Sequence, residues 1–297
     1  MQLKMKDKLK IMIRFNKPTT AYSDRISPAE SDAQITNFRE CRAAISCSIV
    51  CRTIVFLLLL ICITTSFGCY STNSHGTSPG LILFVPGATG DGSMYKHVVP
   101  ALRDNSDQRT IQCFDWGAPA FAFFLNYSNE SIHADAEKKL AQHIISIRTD
   151  HPKDTLDIIA HSAGGGVTLG ALAKLPSDIH VNRVILLHPS VSPDYPLATP
   201  LNACESINLF YSHRDKTFLE WRTSTFGTYD NIKTKAAGHL GFNLAVLSEM
   251  LLHKIKMHAH IEADQKFAND GGHWGPLSRP FLRECVIPLL ARIKNKE

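Results

Sequence analysis

The sequence predicts an α/β fold, a mostly parallel sheet flanked by helices. Three observations predict it. Short apolar runs bounded by turn residues recur at 81–85, 110–117, 156–161, 183–188 and 206–212, and such runs suit strands buried on both faces. Helical or apolar segments separate them, as right-handed βαβ crossovers require. One run stops at a serine and turns through glycines straight into a helical segment.

Composition narrows the function. The 297 residues suffice for one or two domains with a sizeable core. The formal charge of +5 sits entirely in residues 1–52, where ten Lys/Arg face five Asp/Glu, and the remainder carries 22 of each sign. A neutral remainder gives no reason to expect nucleic acid as a partner. Only Cys113, Cys204 and Cys285 follow Cys69, and no pair has C-x-x-C spacing. Buried thiols are expected rather than a disulfide framework, and no metal or organic cofactor is implied.

Residues 1–48 are basic and aperiodic, and read as disordered or as an over-extended start. Within 49–69, the run Ile54–Ile63 follows Arg52. It is shorter than the roughly 20 apolar residues of a membrane span, and suits the core of a signal peptide or an anchor lengthened to 49–63. It ends in Thr64-Thr65-Ser66-Phe67-Gly68-Cys69. A small residue before a cysteine here resembles a bacterial lipoprotein signal, although Ser66 stands where Leu is usual and Phe67 is bulky. That resemblance implies diacylglycerol on the Cys69 thiol. The expected location is exported: membrane-anchored through the N-terminus, or periplasmic or secreted. Residues 70–80, rich in Ser, Thr, Gly and Asn, read as a flexible tether.

The folded domain is expected over 81–297. The strand Leu81–Val85 leads into Pro86-Gly87-Ala88-Thr89-Gly90-Asp91-Gly92, a glycine-rich turn. The run 110–117 reads as the next strand and its exit, with Asp115 near the end. Phe121, Phe123, Phe124 and Tyr127 follow, as pocket lining or plain packing. Ile132, Ala136, Leu140, Ile144 and Ile147 share one face of a helix over 132–147. The strand 156–161 follows, and then the helical segment 167–173. The link from His188 to Cys204 is short and proline-rich, which leaves no room for a large cap and predicts a fairly open site. The stretch 250–261 is apolar and holds His253, His258 and His260. A last helix is expected over 280–290.

Ser162 stands between strand and helix with small neighbours Ala160, Gly164 and Gly165. This is G-x-S-x-G with Ala160 in place of the first Gly, a turn that exposes the serine at the end of a sheet; the plain alternative is a helix N-cap. From about Ser78 to the C-terminus the chain resembles the α/β-hydrolase superfamily. The resemblance implies Ser162 as nucleophile, an acid after it and then a histidine. Asp215, after the strand 206–212, matches the acid position. Asp194 is its main rival and Asp230 a weaker one, and a solvated Asp215 paired with Arg214 or Lys216 is the bland alternative. His273, in the loop Asn269-Asp270-Gly271-Gly272-His273-Trp274-Gly275 before the last helix, matches the base, with His239 as competitor. Pro86-Gly87 stands where His-Gly is usual, so the amides of Ala88 and Ala163 match the oxyanion donors. His161, His188, Asp115 and Trp274 are candidate substrate-lining residues.

The implied reaction is hydrolysis of a small-molecule or lipid ester, or a related acyl bond, through an acyl-enzyme. Two other readings stay open: an acyltransferase using the same triad, and a non-catalytic binding module at the membrane.

Overall fold

The computed structural model describes residues 80–89, 95–104, 109–117, 126 and 129–290. The basic segment 1–48, the signal with Cys69, nearly all of the tether, Gly90-Asp91-Gly92 and the Phe121–Tyr127 aromatics lie outside the described residues.

Among the described residues, six strands form the sheet: β1 (Gly80–Val85), β2 (Thr110–Cys113), β3 (Thr155–His161), β4 (Val181–Leu187), β5 (Cys204–Tyr211) and β6 (Ile255–Ala259). Their order is β2-β1-β3-β4-β5-β6, and every neighbouring pair is parallel. Strand alternation divides the core into two layers. Leu83, Val85, Leu156, Ile158, Ala160, Val184, Leu186, Ile207 and Leu209 point to one face. Ile82, Phe84, Ile159, Ile185, Leu187 and Phe210 point to the other.

Helices α2 (Glu130–Asp150) and α3 (Ala163–Leu172) bring their buried residues to the first layer. Helix α1 (Val98–Arg103) and the helical stretch 279–290 cover the second. The expected stripe on α2 is buried at Ala136, Leu140 and Ile144. Asn129 caps that helix, its Oδ1 accepting the Ser131 and Ile132 amides at 3.0 and 3.4 Å. Such a cap contributes about 1 kcal/mol.

Three details depart from the sequence reading. β2 stops at Cys113, because the chain beyond turns inward and the Trp116 indole donates to the Pro86 carbonyl at 2.9 Å. Helix α3 begins at Ala163, so the elbow glycines are its first turn. Close packing requires them: a Cβ on Gly164 would lie 2.3 Å from the Pro86 carbonyl oxygen, and one on Gly166 2.3 Å from the Tyr229 ring. The third is β6, at the sheet's edge within the 250–261 stretch. Only its Ile255 is buried, and Lys256 and His258 break the apolar stretch where the strand forms.

β1 lies between β2 and β3, so the chain leaves it in one direction and returns to its other side. Ligands of open α/β sheets bind beyond the strand ends at such a reversal. The segments that follow β1, β3, β5 and β6 carry Ala88, Ser162, Asp215 and His273.

Candidate active site

Ser162 takes φ 54 and ψ −124, a conformation that a residue with a Cβ rarely adopts and that costs on the order of 1–3 kcal/mol. Neighbouring strands hold it there. Its amide donates to Leu187 O at 3.1 Å, and its carbonyl accepts the Gly165 and Ser190 amides at 3.0 and 3.1 Å. The side chain is consequently carried clear of the helix axis. It makes no cap hydrogen bond, so the N-cap alternative does not describe it.

Ser162 Oγ lies 3.0 Å from His273 Nε2, and His273 Nδ1 lies 2.6 Å from Asp215 Oδ2. The three residues are 3%, 7% and 2% exposed, which takes the whole line out of water. Asp215 sits at the exit of β5, its amide bonded to Ser212 O at 3.2 Å. His273 rides on a loop shaped by two short side chains. Asn269 Oδ1 accepts the Gly271 amide and Asp270 Oδ1 the Gly272 amide, at 3.0 and 2.8 Å. Gly271 has φ 81, a value that suits glycine.

A second histidine reaches the acid. His188 Nδ1 lies 3.2 Å from the same Asp215 Oδ2. Burial acts to raise the Asp215 pKa, but the hydrogen bonds and charges of His188 and His273 outweigh it and hold the carboxyl well below the usual carboxylate range. Burial lowers the His188 pKa, against the pull of Asp215. A neutral His188 with its proton on Nδ1 satisfies both.

Not every expected residue faces a substrate. His188 is 1% exposed and spent on Asp215, and His161 is 0% exposed with both ring nitrogens bonded inside the protein; neither lines a substrate site. Asp115 is exposed and accepts from Cys113 Sγ at 3.4 Å. Trp274 is 40% exposed and, with His273, Gly272, Asp270 and Gln265, borders a cavity of about 550 Å³. The rival acids are engaged elsewhere: Asp194 with Asn243, and Asp230 with the amide and hydroxyl of Ser192. His239 sits 3.7 Å from Glu220.

A wide helical turn, Thr217–Arg222, follows the acid. It brings Phe218 flat against His273, with ring centroids 4.5 Å apart and 20° between planes.

The β1 loop is anchored beside the serine. Asn126 Nδ2 donates to Ala88 O at 3.0 Å, and the Gly87 amide donates to Tyr95 Oη at 2.9 Å. The Gly87 N–H is thus consumed, and Ala88 keeps the donor position that the resemblance implies. Ala163, first residue of α3, has an N–H that the helix ladder does not use. Sequence patterns missed Tyr95, Asn126 and Phe218; the only hint was that a buried His161 needs partners.

His188, Asp215 and His273 also offer three ligand atoms within 4.8 Å of one another. The 2.6 Å approach of His273 to Asp215 is shorter than the ~3.3 Å between two ligands of a tetrahedral zinc. As they stand, these side chains are set to share protons.

A family model described as an α/β hydrolase of unknown function (DUF900) matches residues 91–223. That span includes Ser162 and Asp215 and ends before His273. Together with the parallel sheet and the strained serine at its switch point, it decides the fold. The fold is that of the α/β-hydrolases. No curated protein matches the chain. Solved structures similar to the chain include Aspergillus fumigatus lipase B, at 16% identity and TM-score 0.47, covering 77% of this chain and 55% of that one. A Pyrobaculum calidifontis esterase matches at 12% identity and TM-score 0.41, covering 72% and 75%. Dienelactone hydrolase from Anabaena variabilis matches at 13% and 0.40, covering 72% and 86%. The chain thus spans about half the length of the lipase.

Proposed function

We propose that the protein is a serine hydrolase that cleaves a carboxylic ester or related acyl bond through an acyl-enzyme on Ser162. One observation carries this reading: the unbroken hydrogen-bonded line Ser162 Oγ–His273 Nε2, His273 Nδ1–Asp215 Oδ2. A serine hydroxyl is a weak nucleophile at neutral pH and gains strength from a base that is itself oriented.

His273 Nε2 takes the hydroxyl proton as Oγ bonds to the substrate carbonyl carbon. The Asp215 carboxylate, kept ionised by its surroundings, holds the proton on Nδ1 and stabilises the imidazolium. The Ala88 and Ala163 amides receive the carbonyl oxygen as it gains charge, each worth roughly 2.7–4 kcal/mol of barrier. His273 then protonates the leaving alcohol, and the C–O bond to it breaks. Water, deprotonated by the same nitrogen, attacks the acyl-enzyme and releases the acid and the free serine. Trp274 and Phe218 flank His273 and supply apolar surface for the substrate. The N-terminal Cys69 signal would place this chemistry outside the cytoplasm at a membrane surface.

The test is labelling of the full-length chain by a fluorophosphonate probe, beside Ser162→Ala and His273→Ala. Labelling of the wild type that disappears in both variants is the expected result. A folded wild type that stays unlabelled would turn the assignment toward a binding module. Product analysis with an added alcohol separates hydrolysis from acyl transfer, and mass spectrometry of the mature N-terminus reads the fate of Cys69.

A further inference from the structure

A hydrogen-bonded chain crosses beneath the site from the β1 loop to the His273 loop. The Gly87 amide donates to Tyr95 Oη at 2.9 Å, Tyr95 Oη lies 3.0 Å from His161 Nδ1, and His161 Nε2 lies 2.9 Å from the His273 carbonyl oxygen. Tyr95 and His161 are 1% and 0% exposed, so neither can exchange these partners for water.

Donor accounting leaves one arrangement of protons. The His273 carbonyl only accepts, so His161 Nε2 carries hydrogen. A neutral ring then accepts at Nδ1, where the Tyr95 hydroxyl donates. The hydroxyl oxygen keeps a lone pair for the Gly87 N–H. Burial, and next the nearby His273 charge, hold the His161 pKa well below its ordinary value, so the ring stays in that neutral form. The bonds all run in one direction, and each polarises the next.

The chain ends on the two loops whose spacing decides catalysis, and its middle is the residue beside Ser162. We infer that Tyr95 and His161 are positioning residues that fix the β1 loop and the His273 backbone relative to the nucleophile. This rests on the serine-hydrolase reading. By occupying the Gly87 amide they leave Ala88 to face the substrate, and by gripping the His273 carbonyl they set the height of the base.

Tyr95→Phe in the full-length protein removes only the hydroxyl. The ring contacts with Phe84 and Trp274, at centroid distances of 5.3 and 5.7 Å, are kept. Ester turnover should fall about 10- to 100-fold in kcat, with KM within about twofold, because misplaced groups cost transition-state rather than ground-state binding. His161→Gln should behave alike, and the double variant should be no worse than the worse single one, since both break one chain. An activity-independent measurement accompanies these: ¹⁵N NMR of the wild-type imidazoles, with His161 expected in the Nε2–H form.

Unchanged kcat in Tyr95→Phe, or fully additive losses, would overturn the inference, as would an Nδ1–H tautomer at His161. If Tyr95→Phe does not fold, His161→Gln and the wild-type tautomer decide. A wild type that shows the Nε2–H tautomer but does not react with fluorophosphonate would retire the hydrolase reading, and the catalytic part of this one with it.

Discussion

Two aspartates, one near each end of the sheet, are both buried and each held by two residues. Asp157, near the start of β3, receives Arg109 Nη1 at 2.6 Å and Arg183 Nη2 at 3.1 Å on one oxygen, and the Arg183 amide at 2.9 Å on the other. Asp215, beyond the end of β5, receives two imidazoles on a single oxygen at 2.6 and 3.2 Å. Guanidinium groups keep their charge at every accessible pH, whereas imidazoles gain and lose theirs near neutrality. The arginines' other contacts, to the Leu289 and Leu290 carbonyls, make Asp157 a clasp for the C-terminal helical stretch. Asp215 is held instead by groups able to pass a proton on. What a buried carboxylate does here is set by whether its partners titrate.

Substitutions can break this contrast, and the largest effect is expected at Asp215, the acid of the proposed mechanism. Asp215→Asn should lower kcat about 10⁴-fold, the cost of losing the carboxylate that orients a catalytic histidine. Retention of a tenth of the wild-type rate would remove Asp215 from the mechanism. Asp157→Asn should do the reverse. It leaves two arginines without their anion, costing about 3–5 kcal/mol of stability by denaturant titration, while turnover per folded molecule holds within about twofold. Loss of turnover without loss of stability would show that the two ends are coupled.

The imidazole side can be read by pH. His161 and His188 have lowered pKa values, set first by burial, so unfolding takes up protons below their unfolded value of about 6.5. Stability should therefore fall as pH drops from 7.5 to 5, and the melting temperature with it, by several degrees. Asp215, with its depressed value, adds no slope there. Its contribution is present above the unfolded value near 3.9 and is lost only as pH falls further, through the folded value. A flat melting profile across that range would mean that these rings are already charged in the native state.

A smaller effect is expected at His188→Asn. Losing one charge-assisted hydrogen bond of about 1.5 kcal/mol corresponds to roughly a tenfold loss in kcat. An unchanged rate would leave His188 as packing alone. The smallest is at Asp194→Asn, on the surface beside Asn243. There kcat should move less than about twofold, a range typical of surface sites, and a larger drop would return Asp194 to contention as the acid.

β1, β3, β4 and β5 were legible because burial on both faces leaves a mark in the chain, a short apolar run closed by turn residues. β2, an edge strand with only Ile111 buried, showed only the closing turn residues. The elbow was legible for a related reason. Gly164 abuts the Pro86 carbonyl, so steric limits on a tight strand-to-helix turn appear directly as small residues. β6 left no such mark, because only Ile255 is buried and Lys256 and His258 interrupt the run. Asp215 and His273 could be reached only through chain order after Ser162, and His239 and Asp194 stayed in competition until distances were known.

The sequence by itself determined the parallel α/β architecture, the turn that lifts Ser162 and the glycine-rich loop that carries His273. Each depends on residues close along the chain, where size and spacing carry the information. Tertiary structure alone decided that two histidines share Asp215, that Tyr95 takes the Gly87 amide, and that Phe218 lies over His273. His188 and Asp215 are 27 positions apart, and Tyr95 and His161 are 66. Hydrogen bonds across such separations depend on strand order and register, which no local pattern of residues records.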